Sequence, residues 1–137
     1  MLDEHWREFK YFHKWEDWGN PELIDYWLVY ELEKLRKYLG KPIIILCGTQ
    51  GKHSPNSLHY VGKAVDCFAI DTDVIDFYLA AERFNFGGIG IYTWWKHKGL
   101  HLDKRPLTDD MPAARWASIR EGEYIKLDSS FLKVVLC

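Results

Sequence analysis

The sequence predicts an α+β domain: a small, mostly antiparallel sheet with helices packed on one face, led by an N-terminal helical pair. Three observations predict it. Helical periodicity is confined to the first forty residues and one later segment, short β-branched or alternating runs dominate from Ile43 onward, and turn signals punctuate those runs. At 137 residues the chain makes one domain. Within it we distinguish a helical pair (1–40), a central core (41–116) and a C-terminal hairpin and strand (117–137).

Asp3 can cap a first helix carrying Trp6, Phe9, Phe12 and Trp15 at three-residue steps, ended by Trp18-Gly19-Asn20-Pro21. That aromatic stripe reads as packing onto the domain body rather than as a ligand platform. Asn20 and Pro21 suit the N-cap and first turn of a second helix. Its stripe is Ile24, Leu28, Leu32, Leu35 and Leu39, and Gly40 and Pro42 stop it. Ile43-Ile44-Ile45-Leu46-Cys47 is a continuous apolar run, as expected of a buried strand. A polar loop follows, and Lys63 to Ile70 alternates, with Ala64, Asp66, Phe68 and Ile70 on one face. Asp71-Thr72-Asp73 caps a third helix with Val74, Phe77, Tyr78, Ala81 and Phe84 on its stripe. Ile89 to Tyr92 and Leu100 to Asp103 read as short strands. Arg115 to Ile119 and Glu123 to Leu127 read as a hairpin, and Phe131 to Leu136 as a final strand.

Hydrophobic residues are 47% and charged residues 28%, the balance of a folded chain rather than a disordered one. A net charge of −2 lacks the basic excess that nucleic-acid binding demands. No apolar run is long enough to cross a bilayer. Met1-Leu2-Asp3-Glu4-His5 opens with acids rather than a basic segment before an apolar one, so the expectation is no signal peptide and a chain cytoplasmic as synthesised. Three scattered cysteines argue against a disulfide scaffold and for a reduced compartment. Cys67 is expected as an inert buried thiol, and Cys47, nearer the expected cleft, as core.

The chemistry centres on an anomaly. Asp66 occupies a strand position on a face that otherwise reads as buried, where a carboxylate is costly unless paired or bound to a metal. His59 lies seven residues earlier, and His101 and Asp103 share a face of another strand. Two imidazoles and one carboxylate suit a zinc ion that keeps its fourth position open, which is the equipment of a metallohydrolase.

The string Ser57-Leu58-His59-Tyr60-Val61-Gly62-Lys63-Ala64-Val65-Asp66 resembles the Ser-x-His-x-x-Gly-x-Ala-x-Asp signature of the LAS metallopeptidases. That superfamily includes zinc D-alanyl-D-alanine carboxypeptidases and dipeptidases, phage endolysins and the hedgehog signalling domain. Gly88-Ile89-Gly90-Ile91-Tyr92 and His101-Leu102-Asp103-Lys104-Arg105 are similar to strings of its smaller carboxypeptidase-like, often phage-encoded members. The likeness spans roughly Ile43 to Trp116. It implies a central cleft holding Zn2+ on His59, Asp66 and His101, with Ser57 near the ligands or the substrate. Asp103 and Arg105 are then supporting residues, and Asp103 has the alternative reading of an exposed strand-end charge. It further implies hydrolysis of peptidoglycan stem peptides by a monomeric enzyme with no membrane or nucleic-acid partner, released to the cell wall if phage-encoded.

Two departures keep a non-catalytic, hedgehog-type zinc module as the competing class. Active members usually place an acid a few residues before the last liganding His, whereas Trp94-Trp95-Lys96-His97-Lys98-Gly99-Leu100 has none. His97 is then the candidate acid/base, with Asp103 the other, and a solvent-exposed loop histidine is the plain alternative. The family's Ser-Gly-Tyr-Arg becomes Cys47-Gly48-Thr49-Gln50, so Gln50 can donate a hydrogen bond but no charge. Lys52, Lys96 or Lys98 must supply one. Tyr92, Trp94 and Trp95 border the last ligand, either lining a groove or covering the core.

Overall fold

The computed structural model describes residues 1–127. β-branched and apolar residues form the strands β1 (Ile43–Cys47), β2 (Ala64–Ala69), β3 (Gly88–Tyr92) and β4 (Gly99–Asp103), followed by β5 (Ala114–Arg120) and β6 (Glu123–Lys126). They make one six-stranded sheet in the order β1-β2-β4-β3-β5-β6. Every pairing is antiparallel except β3 with β5, so the α+β class holds with one parallel junction. The anticipated final strand, Phe131 to Leu136, lies outside the described residues. None of the described helices is long and apolar enough to cross a membrane.

Alternation gives the sheet two unlike faces. Ile43, Ile45, Val65, Cys67, Ile89, Ile91, Leu100 and Leu102 point to one side and are buried. Over them lie α2 (Tyr26–Leu39), contributing Leu28, Leu32 and Leu35, and α3 (Val74–Ala81), contributing Phe77 and Ala81. Each of these Val, Ile, Leu and Phe side chains removed from water contributes about 1.5–3 kcal/mol. The opposite face carries Asp66, His101, Asp103 and Trp116, and it is where the chemistry sits.

The N-terminal segment departs from the expected pair of long helices. α1 spans only Asp3–Trp6, and turns carry the chain from there to Asp25. The reason is tertiary: the Glu33 carboxylate of α2 accepts hydrogen bonds from the backbone N–H groups of Lys10 (2.6 Å) and Tyr11 (3.1 Å), which a continuing helix would keep for itself. Glu16 similarly takes the His13 N–H at 2.6 Å. Trp6, Phe9 and Phe12 still reach the core, but Trp15 is 75% exposed and stacks on His13. Asn20 opens a turn, its side chain accepting from Glu22 N, and the true cap of α2 is Asp25, which accepts from Leu28 N. Gly40 ends α2 in the left-handed conformation, as the sequence indicated.

Candidate metal centre

Four strands of the sheet and the loop before β2 bring the site together. Residues directly opposite in a pair of strands share a face. Asp66 of β2 faces His101 of β4, and His101 faces Gly90 of β3, which in turn faces Trp116 of β5. His59 arrives from the loop before β2, on the 3-10 turn Leu58–Val61. Ser57 caps that turn, its hydroxyl accepting from His59 N at 3.2 Å, and Gly62 closes it at φ 73°. A Cβ at Gly62 would stand 1.9 Å from the Leu23 carbonyl oxygen, so no other residue makes this turn so close to the chain leading into α2. The spacing from Ser57 to Asp66 thus encodes a cap, a ligand-type histidine, a left-handed stop and a strand.

At the centre, His59 Nε2, His101 Nδ1 and Asp66 Oδ1 form a near-equilateral triangle. Its edges are 3.2 Å between the two nitrogens and 3.3 Å from each nitrogen to the oxygen. A tetrahedral ion with bonds of about 2.0–2.1 Å requires edges of roughly 3.3–3.4 Å. The remaining ring nitrogens show which atoms face inward. His59 Nδ1 lies 2.8 Å from the Gly48 carbonyl, which can only accept, so Nδ1 carries the proton. His101 Nε2 donates to Asp103 Oδ2 at 2.7 Å. With those outer protons in place, each ring in its neutral form turns a lone pair, alongside a carboxylate oxygen, to one point, an arrangement that could hold a cation.

Protons feel the same demand. Burial disfavours charge on Asp66, but its contacts with His101 and His59 outweigh that and hold its carboxyl down at about 2. Burial also disfavours the His101 imidazolium, yet Asp103 and Asp66 overcome it and raise the ring above its ordinary value. Desolvation of Asp103 is likewise exceeded by His101 and Arg105, which lower its carboxyl. Arg105 grips Asp103 through Nε (2.9 Å to Oδ1) and Nη2 (2.6 Å to Oδ2), while its guanidinium lies 5.2 Å over the Trp116 ring. Trp116 in turn leans on His101 at 5.1 Å.

Small residues make room for this stack. A Cβ on Gly88 would lie 2.2 Å from Asp103 Oδ2, and one on Gly90 would lie 2.4 Å from the Trp116 ring. The Gly-x-Gly of β3 is thus a matter of space over the sheet rather than of backbone conformation.

His59, Asp66 and His101 open onto a cavity of about 760 Å3 whose lining includes Lys52, His53, Ser57, Tyr92, Trp95, Trp116 and Tyr124. Tyr92 stacks on Trp95 at 4.3 Å, and its hydroxyl accepts from Trp116 Nε1 at 3.0 Å. Burial raises the Tyr92 phenol above its usual value. Of the anticipated substrate-side residues, Ser57, Lys52 and Tyr92 line the cavity and Gln50 does not. The Gln50 amide is spent on structure, donating to Asp17 O at 2.7 Å and accepting from Gly48 N at 2.8 Å. Asp103 is buried with both oxygens engaged, so neither a proton-carrying role nor an exposed strand-end charge fits its position. His97 lies flat on Phe68 at 4.4 Å and is absent from the lining, as are Lys96 and Lys98.

His53 escaped the sequence reading. It stacks on His59 with centroids 4.0 Å apart, and its Nε2 lies 3.6 Å from the sulfur of Cys47, a residue expected in the core. Among the described residues two groups could hold a metal: His59, Asp66 and His101, and Cys47, His53 and His59. Neither a protein-family model nor a curated protein matches the chain.

Proposed function

We propose that the protein is a zinc-dependent peptidase acting on peptidoglycan stem peptides, of the D,D-carboxypeptidase or endolysin type. One observation carries the reading: three inward-facing donor atoms, at spacings that fit a tetrahedral face, lie on the floor of an open cavity. Two imidazole nitrogens and one carboxylate oxygen with an open fourth position are a catalytic rather than a closed structural donor set. His59, Asp66 and His101 would hold the zinc, which would supply Lewis-acid chemistry towards water and a scissile carbonyl. The signature from Ser57 to Asp66 supports the same assignment by resemblance.

The chain's own groups bind and orient. Asp103, fixed by Arg105, keeps the His101 proton on Nε2 and so keeps Nδ1 free to coordinate. Tyr92, Trp95 and Tyr124 offer an aromatic wall against which an extended peptide packs. Lys52 at the rim supplies a positive charge for a peptide carboxylate, the role that Gln50 cannot fill.

A second reading, a non-catalytic zinc module, is favoured by one observation. Among the described residues, the only carboxylates lining the cavity are Asp66 and Asp103, the first in the donor triangle and the second locked by Arg105. Incubation with purified peptidoglycan and with a D-alanyl-D-alanine peptide separates the two. Release of amino termini or D-alanine, abolished by chelator and restored by zinc, is the result expected of the peptidase. A folded, zinc-loaded protein that releases neither overturns it in favour of the module.

A further inference from the structure

We infer that Cys47, His53 and the carbonyl of Gln50 form a second cation site, suited to a thiophilic d10 ion, on the wall beside the first centre. The inference does not depend on the peptidase reading.

The sheet itself aims Cys47. β1 pairs Ile45 with Cys67, and a regular ladder would then set Leu46 opposite Asp66. A bulge inserts one residue, so Cys47 takes that place and turns its thiol to the site face while Leu46 is pushed outward to 36% exposure. Gly51, at φ 90°, then folds the following loop back so that His53 returns over Cys47.

His53 is held from three sides. Tyr60 Oη accepts from its backbone N–H at 2.7 Å and donates to its carbonyl at 3.0 Å, and the His59 ring lies flat against its own. The resulting distance from Sγ to Nε2, 3.6 Å, equals the edge expected for a tetrahedral ion with bonds of about 2.3 Å to sulfur and 2.0–2.1 Å to nitrogen. Gln50 O lies 2.8 Å from Nε2 and 3.0 Å from Sγ, so its two lone pairs accept from the imidazole N–H and the thiol, which gathers all three polar atoms at one point. A soft cation would replace these two hydrogen bonds. The thiol proton leaves to solvent, the ring proton moves from Nε2 to Nδ1, and sulfur, nitrogen and carbonyl oxygen become the donors. His59 contributes only its ring face, because its Nδ1 is committed to Gly48.

Cobalt(II) titration of the metal-free protein, reduced with a phosphine and kept anaerobic, tests this. Cobalt on a thiolate shows a near-ultraviolet charge-transfer band, whereas cobalt on His59, Asp66 and His101 alone shows only visible d–d bands. The expected result is a charge-transfer band that is lost in Cys47→Ser, lost or strongly weakened in His53→Ala, and kept in Asp66→Ala. Retained d–d bands of the first centre in Cys47→Ser and His53→Ala show that those variants are folded. Absence of the charge-transfer band in the wild-type chain, or its survival in Cys47→Ser, overturns the inference. Failure of the first centre shows separately, as an intact charge-transfer band in the wild-type chain with no visible d–d bands left in Cys47→Ser.

Discussion

The Nε2 proton of His101 is held by Asp103, two residues further along β4, at 2.7 Å, and this one hydrogen bond decides which nitrogen faces the donor triangle. Because alternate strand residues share a face, the pair needs no loop to bring it together. Arg105 leaves the strand and turns back to clamp the same carboxylate, burying it completely. The strand and the residues just after it thus carry a ring that could coordinate a metal, its orienting carboxylate and the guanidinium that holds the carboxylate in place.

Asp103→Asn removes the charge while keeping the size. The amide can still accept one hydrogen bond but no longer holds the ring proton electrostatically, and Arg105 loses its partner. We expect zinc affinity to fall by about 10–100-fold without being lost, as is typical when a carboxylate behind a metal-bound histidine is removed. Asp66→Ala, which removes a donor, is expected to abolish binding at that centre. Calorimetric or chelator-competition titration of the two variants side by side distinguishes orientation from coordination.

Gly88→Ala tests the space beneath that carboxylate. The added methyl would lie 2.2 Å from Asp103 Oδ2 and 2.6 Å from both its Oδ1 and its Cγ. Asp103 cannot yield without releasing His101 or Arg105. Destabilisation of about 1–3 kcal/mol is expected from overpacking, together with weaker metal binding. Thermal melting with and without metal is the measurement, and the metal-dependent rise in Tm should shrink along with the Tm itself.

How far the sequence reached depends on whether the physics was local. The bounds of β1, the cap at Asp73 and the turn at Gly40 were legible, because β-branching, capping and left-handed glycine act within a few residues. The convergence of His59, Asp66 and His101 was legible through strand alternation and a spaced motif. The Trp6–Trp15 stripe misled, because Glu33, more than twenty residues away, takes the backbone donors that a helix would need. Cys47 was assigned to the core because a bulge at Leu46 leaves no mark on composition. His53 was missed because only the folded loop sets it against His59.

Acidity should act oppositely on the metal-free and metal-loaded protein. Without metal, Asp66 is held at about 2 against an ordinary 3.8, so it contributes about 2 kcal/mol above pH 4 that is lost as pH falls towards 2. His101 has its value raised from 6.5, so its contribution is full below 6.5 and is lost as pH rises through the raised value. The metal-free protein should therefore be most stable between about pH 4 and 6.5 as far as these two groups are concerned. A metal needs the neutral His101 ring, so affinity must instead climb as pH rises through the same titration. Tm against pH, in chelator and in excess zinc, should give curves that diverge above pH 6.5; parallel curves would show that His101 does not coordinate.

His97 provides the sharpest check on how protons are handled. It was the natural choice by sequence, as the one imidazole near the last ligand-type histidine, but its ring lies flat on Phe68 and outside the cavity lining. A proton carrier must come within hydrogen-bond reach of the reacting atoms, and removing one costs about a hundredfold or more in rate. Under the peptidase activity proposed above, its position predicts that His97→Ala changes peptide hydrolysis by no more than about threefold, whereas a general acid or base would lie far outside that range. Stacking on Phe68 predicts a small loss of thermal stability instead, since an aromatic pair contributes about 0.5–1.5 kcal/mol beyond its buried area. A rate loss of a hundredfold with unchanged Tm would mean that the loop from Thr93 to Gly99 swings over the cavity during turnover and carries His97 with it.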